Sequence, residues 1–320
     1  MNSKNPPLND LIYDWNTAGT GYPHRAVQVE FDDETLRDGL QSPSVKDPDI
    51  ETKLRLIHHM EDLGIHTADV GLPGAGPRAR EAVMALATEI VEQGLPIAPN
   101  CAARTVKADI APIVDVAQAT GLRMEVGAFI GCSPIRQYAE GWGLEMLLRT
   151  TEEAVTFAAQ EGLEVMYVTE DTTRSRPETL KALYTTAIEC GARRICLADT
   201  VGHSTPFGVR QLVRFVRKVI FDTGEDVKVD WHGHRDRGLA MPNALAAIEE
   251  GADRVHGTAL GIGERVGNTA MDLLLVNLKL LDMHDVDLTR LPEYCRLAAE
   301  ICGIKIPHSY PVVGSDAFRT

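Results

Sequence analysis

The sequence predicts an α/β protein built as a (β/α)8 barrel of the TIM type. Three observations carry the prediction. Eight short β-rich runs recur from residue 27 onward, and helical stretches lie between them. The helical stretches are amphipathic, and several end in glycine, the residue best suited to a left-handed helix cap. The alternation occupies about 250 residues, the usual size of such a barrel.

The strand candidates, in order, are VQVEF (27–31), TADVGL (67–72), PIAPNC (96–101), RMEVGAFI (123–130), EVMYVTE (164–170), RRICLAD (193–199), VKVDWH (227–232) and DRVHGTAL (253–260). Each is rich in β-branched or apolar residues and short enough for a buried strand. Between them, DIETKLRLIHHMEDLG, RAREAVMALATEIVEQG, TEEAVTFAAQEG and MPNALAAIEEG read as helices, and Gly64, Gly94, Gly162, Gly191 and Gly251 mark helix ends. Alternating β and α imply parallel strands with right-handed crossovers. Eight units favour a closed barrel. An open doubly wound sheet is the alternative, but no GxGxxG follows the first strand and no P-loop occurs. The expected division is an irregular arm over 1–26, a catalytic barrel over 27–284, and a C-terminal extension over 285–320. That extension holds the helix LPEYCRLAAEICG and resembles the start of a segment that follows such a barrel, a truncated linker or subdomain.

Composition narrows the function. The formal net charge is −14 and the pI near 5.2, which argues against a nucleic-acid partner. No stretch approaches the roughly 18 apolar residues of a membrane span, and MNSKNPPLNDLIYDWN is not a secretory signal. Cys101, Cys132, Cys190, Cys196, Cys295 and Cys302 are scattered without a CxxC pair. They read as reduced packing thiols of a cytoplasmic protein.

In a barrel, chemistry sits where strands run into the following loops. The polar residues there are Arg37 and Asp38 after strand 1, Glu170 and Asp171 after strand 5, Asp199 and Thr200 after strand 6, His232 and His234 at strand 7, and Glu264, Arg265 and Asn268 after strand 8. The i, i+2 spacing of His232 and His234 puts both imidazoles on one face of an extended strand end. Two histidines and a carboxylate with open positions suit a catalytic divalent ion. Asp38 is the candidate carboxylate, and Asn268 can add an amide oxygen. Arg37 is either a rim ion pair or a fixed cation for an oxyanion, and Glu170 is its candidate structural partner. GIGERVGN reads as a plain turn or as a loop whose backbone approaches a ligand.

Taken together, DETLRDGLQSP, TEDTTRS, ADTVGHSTP, WHGHRDRGLA and GTALGIGERVGN resemble, in order and register, the DRE-TIM metallolyase family. That family includes 2-isopropylmalate, citramalate and homocitrate synthases and 3-hydroxy-3-methylglutaryl-CoA lyase. The resemblance implies that Asp38, His232 and His234 bind the metal (Zn, Mn or Mg) with Asn268 in or near the shell. It implies that Arg37 stabilises an enolate oxygen, that Glu170 completes an Asp–Arg–Glu set, and that Thr200 and Gln41 contact substrate. The implied reaction joins acetyl-CoA to a 2-oxo acid, or runs in reverse, in a homodimer. DGLQ and EVGAF look lyase-like, whereas TEDTTR and GERVGN look synthase-like, and a synthase is the favoured reading. A metal-binding barrel without catalysis is the rival from another class.

Period-2 alternation puts Met166 and Val168 on the face of Glu170, so part of the pocket is expected to be apolar. Gly127 stands where isopropylmalate synthases usually carry a histidine. An apolar pocket favours pyruvate or 2-oxoisovalerate over an acid with a second carboxylate. The family's C-terminal histidine and its leucine-binding domain have no counterpart before Thr320. The expectation is therefore no leucine inhibition by that route, with His203 and His256 as substitute bases by location.

Overall fold

The computed structural model describes residues 29–319; the predicted arm over 1–26 lies outside them. The elements follow in strict alternation: β1 Glu30–Asp33, α1 Ile50–Asp62, β2 Thr67–Asp69, α2 Pro77–Gln93, β3 Ala98–Arg104, α3 Lys107–Thr120, β4 Glu125–Gly131, α4 Pro134–Glu140, α5 Leu144–Gln160, β5 Glu164–Glu170, α6 Pro177–Glu189, β6 Arg194–Asp199, α7 Pro206–Thr223, β7 Lys228–Gly233, α8 Ala240–Glu250, β8 Arg254–Gly257, α9 Met271–Leu280 and α10 Leu291–Cys302. Every strand pairs in parallel with its successor, and β8 closes on β1 through Asp32 opposite His256. No helix is long and apolar enough to cross a membrane among the described residues.

Period-2 alternation divides each strand between two environments. Phe31, Val126, Val165, Tyr167, Ile195, Leu197, Val229, Trp231 and Val255 are buried in one hydrophobic core. Each large apolar side chain so placed contributes about 1.5–3 kcal/mol from transfer out of water. The intervening positions carry polar groups into the lumen. At its floor, Arg254 Nε donates to Asp230 Oδ2 at 2.7 Å and its Nη2 donates to Glu125 Oε1 at 2.6 Å. Arg194 joins Asp230 at 2.7 Å and Glu30 at 2.7 Å. Removing one partner from such a buried network costs about 3–5 kcal/mol, because a charge is left uncompensated.

Glycine ends the helices where expected: Gly94 caps α2 at φ 64° and Gly251 caps α8 at φ 103°. β1 ends two residues beyond the predicted run, at Asp33, and β2 and β8 are shorter than their apolar runs. Pairing stops where the chain turns into the loops of the barrel mouth.

α10 is locked to the barrel through a buried pair: the Tyr294 hydroxyl donates to Asp33 Oδ2, while the Thr35 amide donates to Oδ1 at 2.8 Å. Burial pushes the Asp33 carboxyl up to about 6, against these hydrogen bonds. The folded protein therefore holds this proton more tightly than the unfolded chain does. Asp33 favours folding below about pH 4 and opposes it as pH rises through about 6. Relative to Asp33→Asn, the wild type is expected to lose on the order of 2–3 kcal/mol between about pH 4 and pH 7. Denaturant titrations at both pH values measure this; an unchanged difference between the two proteins would contradict it.

Candidate metal centre and active site

The loop leaving β1 is wound tightly, with the Arg37 amide bonded to Glu34 O at 3.1 Å and the Gly39 amide to the same oxygen at 3.0 Å. The winding brings Glu34, Arg37 and Asp38 to one mouth of the barrel. There Asp38 Oδ2 lies 3.4 Å from His232 Nε2 and 3.7 Å from His234 Nε2, and the two Nε2 atoms are 3.1 Å apart. All three residues are buried.

These distances test whether a cation fits. Donors about 2.0–2.2 Å from a shared ion, in tetrahedral or octahedral geometry, stand roughly 3.0–3.6 Å from one another. Two sides of the observed triangle fall in that range and the third, at 3.7 Å, lies just above it, so Asp38, His232 and His234 form a group able to hold a divalent ion. Burial, with the neighbouring His232 adding to it, pushes His234 down to about 4, which keeps its imidazole neutral and fit to ligate at pH 7. Asn268 Nδ2 donates to Asp38 Oδ2 at 2.7 Å, and its buried Oδ1 has no partner. Reversing that amide presents the oxygen to the same cluster. A Cβ at Gly263 would collide with the Asn268 side chain, which is why this stretch of GIGERVGN requires glycine.

Arg37 stands beside the cluster, with Nη1 3.8 Å from Asp38 Oδ2. Its Nε donates to Asp69 Oδ2 at 2.7 Å and its Nη2 to Glu34 Oε1 at 3.0 Å. Two carboxylates thus fix the guanidinium, and Nη1 makes no hydrogen bond among the described residues. This corrects the expectation for Glu170. Its partner is Arg136 at 3.9 Å, not Arg37, because β5 stands across the lumen from β1. Burial raises the Glu170 carboxyl, with Arg136 opposing. Burial also pushes Asp69 up to about 7, against the pull of Arg37.

Glu170, Thr200, Gln41, Met166, Val168 and Gly127 all line one cavity of about 310 Å³ together with Arg37, Asp38, His232 and His234. Its wall also includes Leu72, Ala102, Phe129 and Ala198, so much of it is apolar. A Cβ at Gly127 would sit 3.1 Å from Met166 Cε, so the methionine occupies space that a larger residue there would need. Thr200 Oγ1 accepts from the Asp171 amide at 2.8 Å, leaving its own proton free to donate. Asp171 itself is tied to Arg174 at 2.7 Å, and Asp199 accepts from the amides of His203 and Ser204 at 2.8 and 3.2 Å. Both organise loops rather than face the cavity. Arg265 bridges the mouth to Asp236 at 2.8 Å and to Thr200 O.

Neither substitute base survives. His203 is exposed, and it does not line the cavity. His256 has Nδ1 3.0 Å from Glu34 Oε1 and Nε2 2.9 Å from Asp230 Oδ2. Burial would lower its pKa, but the carboxylates of Asp32 and Glu34, with the Asp230 hydrogen bond, override this and raise it to about 10. A group already protonated at pH 7 accepts no proton. Glu34 is held well below the usual carboxylate range: burial alone would raise it, and His232, Arg37 and His256 outweigh that.

A family model described as HMGL-like matches residues 28–297. The 2-isopropylmalate synthase of Sulfolobus acidocaldarius is 36% identical over 294 residues, covering 91% of this chain and 73% of the relative. Homocitrate synthase AksA of Methanopyrus kandleri is 36% identical over 290 residues, covering 90% and 69%. The chain spans between 55 and 75% of the length of the curated relatives it matches. Among solved structures, the HMG-CoA lyase of Bacillus subtilis superposes with a TM-score of 0.72 at 19% identity, covering 88% of this chain and 95% of that one. At that identity the likeness shows the fold alone.

Proposed function

The chain belongs to the HMGL-like family, the DRE-TIM metallolyases, and on that premise we propose that it is an acyltransferase joining acetyl-CoA to a 2-oxo acid, in the manner of a 2-isopropylmalate synthase. The observation that carries the reading is the three-donor group of Asp38, His232 and His234 beside Arg37, opening on a cavity with an apolar wall. Asp38, His232 and His234 would hold a divalent ion there, Zn, Mn or Mg, which would supply Lewis-acid chemistry toward a keto carbonyl.

The chain's own residues account for the rest. The free Nη1 of Arg37 donates to the enolate oxygen derived from the thioester, a cation fixed before the charge develops. The Thr200 hydroxyl donates to the carboxylate of the 2-oxo acid. Glu170, partly buried and raised above the ordinary range, is the carboxylate at the mouth suited to hold or take a proton at Oε. Leu72, Phe129, Met166 and Val168 receive a neutral side chain, because none of them can pair a second carboxylate. The six free cysteines suit a reducing cytoplasm, and a homodimer, carried by the family resemblance, completes the reading.

The test is release of coenzyme A thiol from acetyl-CoA in the presence of Mn, Mg or Zn across a panel of 2-oxo acids. Pyruvate or 2-oxoisovalerate is expected to react fastest. A clear preference for 2-oxoglutarate would refute the apolar assignment, and cleavage of 3-hydroxy-3-methylglutaryl-CoA without condensation would make the protein a lyase.

A further inference from the structure

We propose that Glu34 and His256 form one positioning couple, which fixes the tautomer and ring angle of His232 and the pose of Arg37. The inference deepens the proposed function and rests on the metal reading of Asp38, His232 and His234.

Glu34 is buried and makes three contacts with its two oxygens. Oε2 lies 2.7 Å from His232 Nδ1, a close charge contact out of hydrogen-bond alignment, and has no hydrogen-bond partner among the described residues. Oε1 lies 3.0 Å from Arg37 Nη2 and 3.0 Å from His256 Nδ1. One carboxylate therefore touches both a candidate ligand and the candidate oxyanion cation. A carboxylate can only accept, so the hydrogen of His232 belongs on Nδ1. That leaves the Nε2 lone pair turned toward Asp38 and His234, where a cation would sit. Outer partners of this kind orient a ligating imidazole and raise its basicity.

His256 supplies the anchor. Both of its ring nitrogens face carboxylate oxygens, Glu34 on one side and Asp230 at 2.9 Å on the other, so both carry hydrogens. Asp230 is in turn clamped by Arg254 at 2.7 Å and Arg194 at 2.7 Å. The result is a line of alternating charges from the barrel floor to the mouth. Without that line, Glu34 would be a buried side chain held only by the two groups it must orient. Strand pairing places the couple: β1 and β8 close the barrel, and the Glu34 amide donates to Gly257 O at 2.9 Å. His256 is thus a positioning residue and takes no part in proton transfer.

The experiment is Mn²⁺ titration calorimetry on the full chain, with ¹⁵N-histidine NMR on the metal-free protein. Glu34→Gln is expected to weaken Mn²⁺ binding by about 10–100-fold, the usual cost of losing an outer partner. His256→Gln is expected to weaken it in the same direction, and the double variant to be no worse than Glu34→Gln alone, since the two act as a unit. In the wild type, His232 is expected to carry its hydrogen on Nδ1, the less common tautomer in water, and to lose that preference in Glu34→Gln. Wild-type affinity in a folded Glu34→Gln variant, or additive losses in the double variant, would overturn the proposal. Should the variants not fold, or the wild type bind no metal, the wild-type spectrum decides: hydrogen on Nε2 of His232 overturns the couple. Failure of the wild type to bind any divalent ion sinks the metal reading separately.

Discussion

In His232→Ala, Mn²⁺ affinity is expected to fall by more than about 100-fold and turnover to fall with it. Loss of an outer-shell partner alone typically costs about 10–100-fold, and this change removes a donor itself. Two atoms would face what remains, Asp38 Oδ2 and His234 Nε2, now 3.7 Å apart without the third corner of the triangle. The truncation also strips Glu34 Oε2 of its neighbour 2.7 Å away, leaving a buried carboxylate oxygen without compensation. Calorimetry with Mn²⁺, alongside circular dichroism to establish that the barrel is folded, reads the effect. Full affinity and activity in this variant would overturn the ligand assignment.

Arg37→Ala is expected to separate chemistry from metal binding. The guanidinium is no donor to the cation site, and Glu34 retains His256 as an anchor when Arg37 is gone. Metal affinity should stay within about tenfold of the wild type, whereas kcat should fall by about 100–1,000-fold, the scale for one oxyanion donor. The variant should also be less stable, by about 3–5 kcal/mol, because Asp69 and Glu34 lose a buried cation. Assays therefore belong at a temperature where the variant is shown to be folded. Unaltered turnover with intact metal binding would reduce Arg37 to a rim ion pair. Loss of metal binding equal to that of His232→Ala would mean that its role is structural.

Much of this was legible in the residues. The β5 prediction, EVMYVTE, coincides with the strand from Glu164 to Glu170, because an apolar run with β-branched Val165 and Val168 ends in polar residues. The i, i+2 spacing of His232 and His234 translated directly into two adjacent Nε2 atoms. What periodicity cannot supply is azimuth. Glu170 and Arg37 both point to the lumen side, yet they rise from strands four places apart around the ring, so the arginine takes its carboxylates from nearer sources. Those sources carried a readable signal. Asp69 ends β2 as Glu170 ends β5, and Glu34 continues the lumen face of Asp32 by alternation. The polar strand ends of strands 1 and 5 to 8 leave out Asp69 on β2, and after strand 1 the adjacent Arg37 and Asp38 carry the signal that Glu34 shares. His256 was misread for a different reason. Its place on strand 8 was visible, but the carboxylates of Glu34 and Asp230, 222 and 26 residues away in the chain, decide its protonation state.

Anomalous diffraction at the manganese edge, from crystals of the full chain grown with Mn²⁺ and 2-oxoisovalerate, tests the central claim most directly. The account predicts a single strong peak at the barrel mouth, about 2.0–2.3 Å from Asp38 Oδ2 and the Nε2 atoms of His232 and His234, with the keto acid's side chain against Met166 and Val168. A peak elsewhere on the molecule, or none at saturating Mn²⁺, would contradict it.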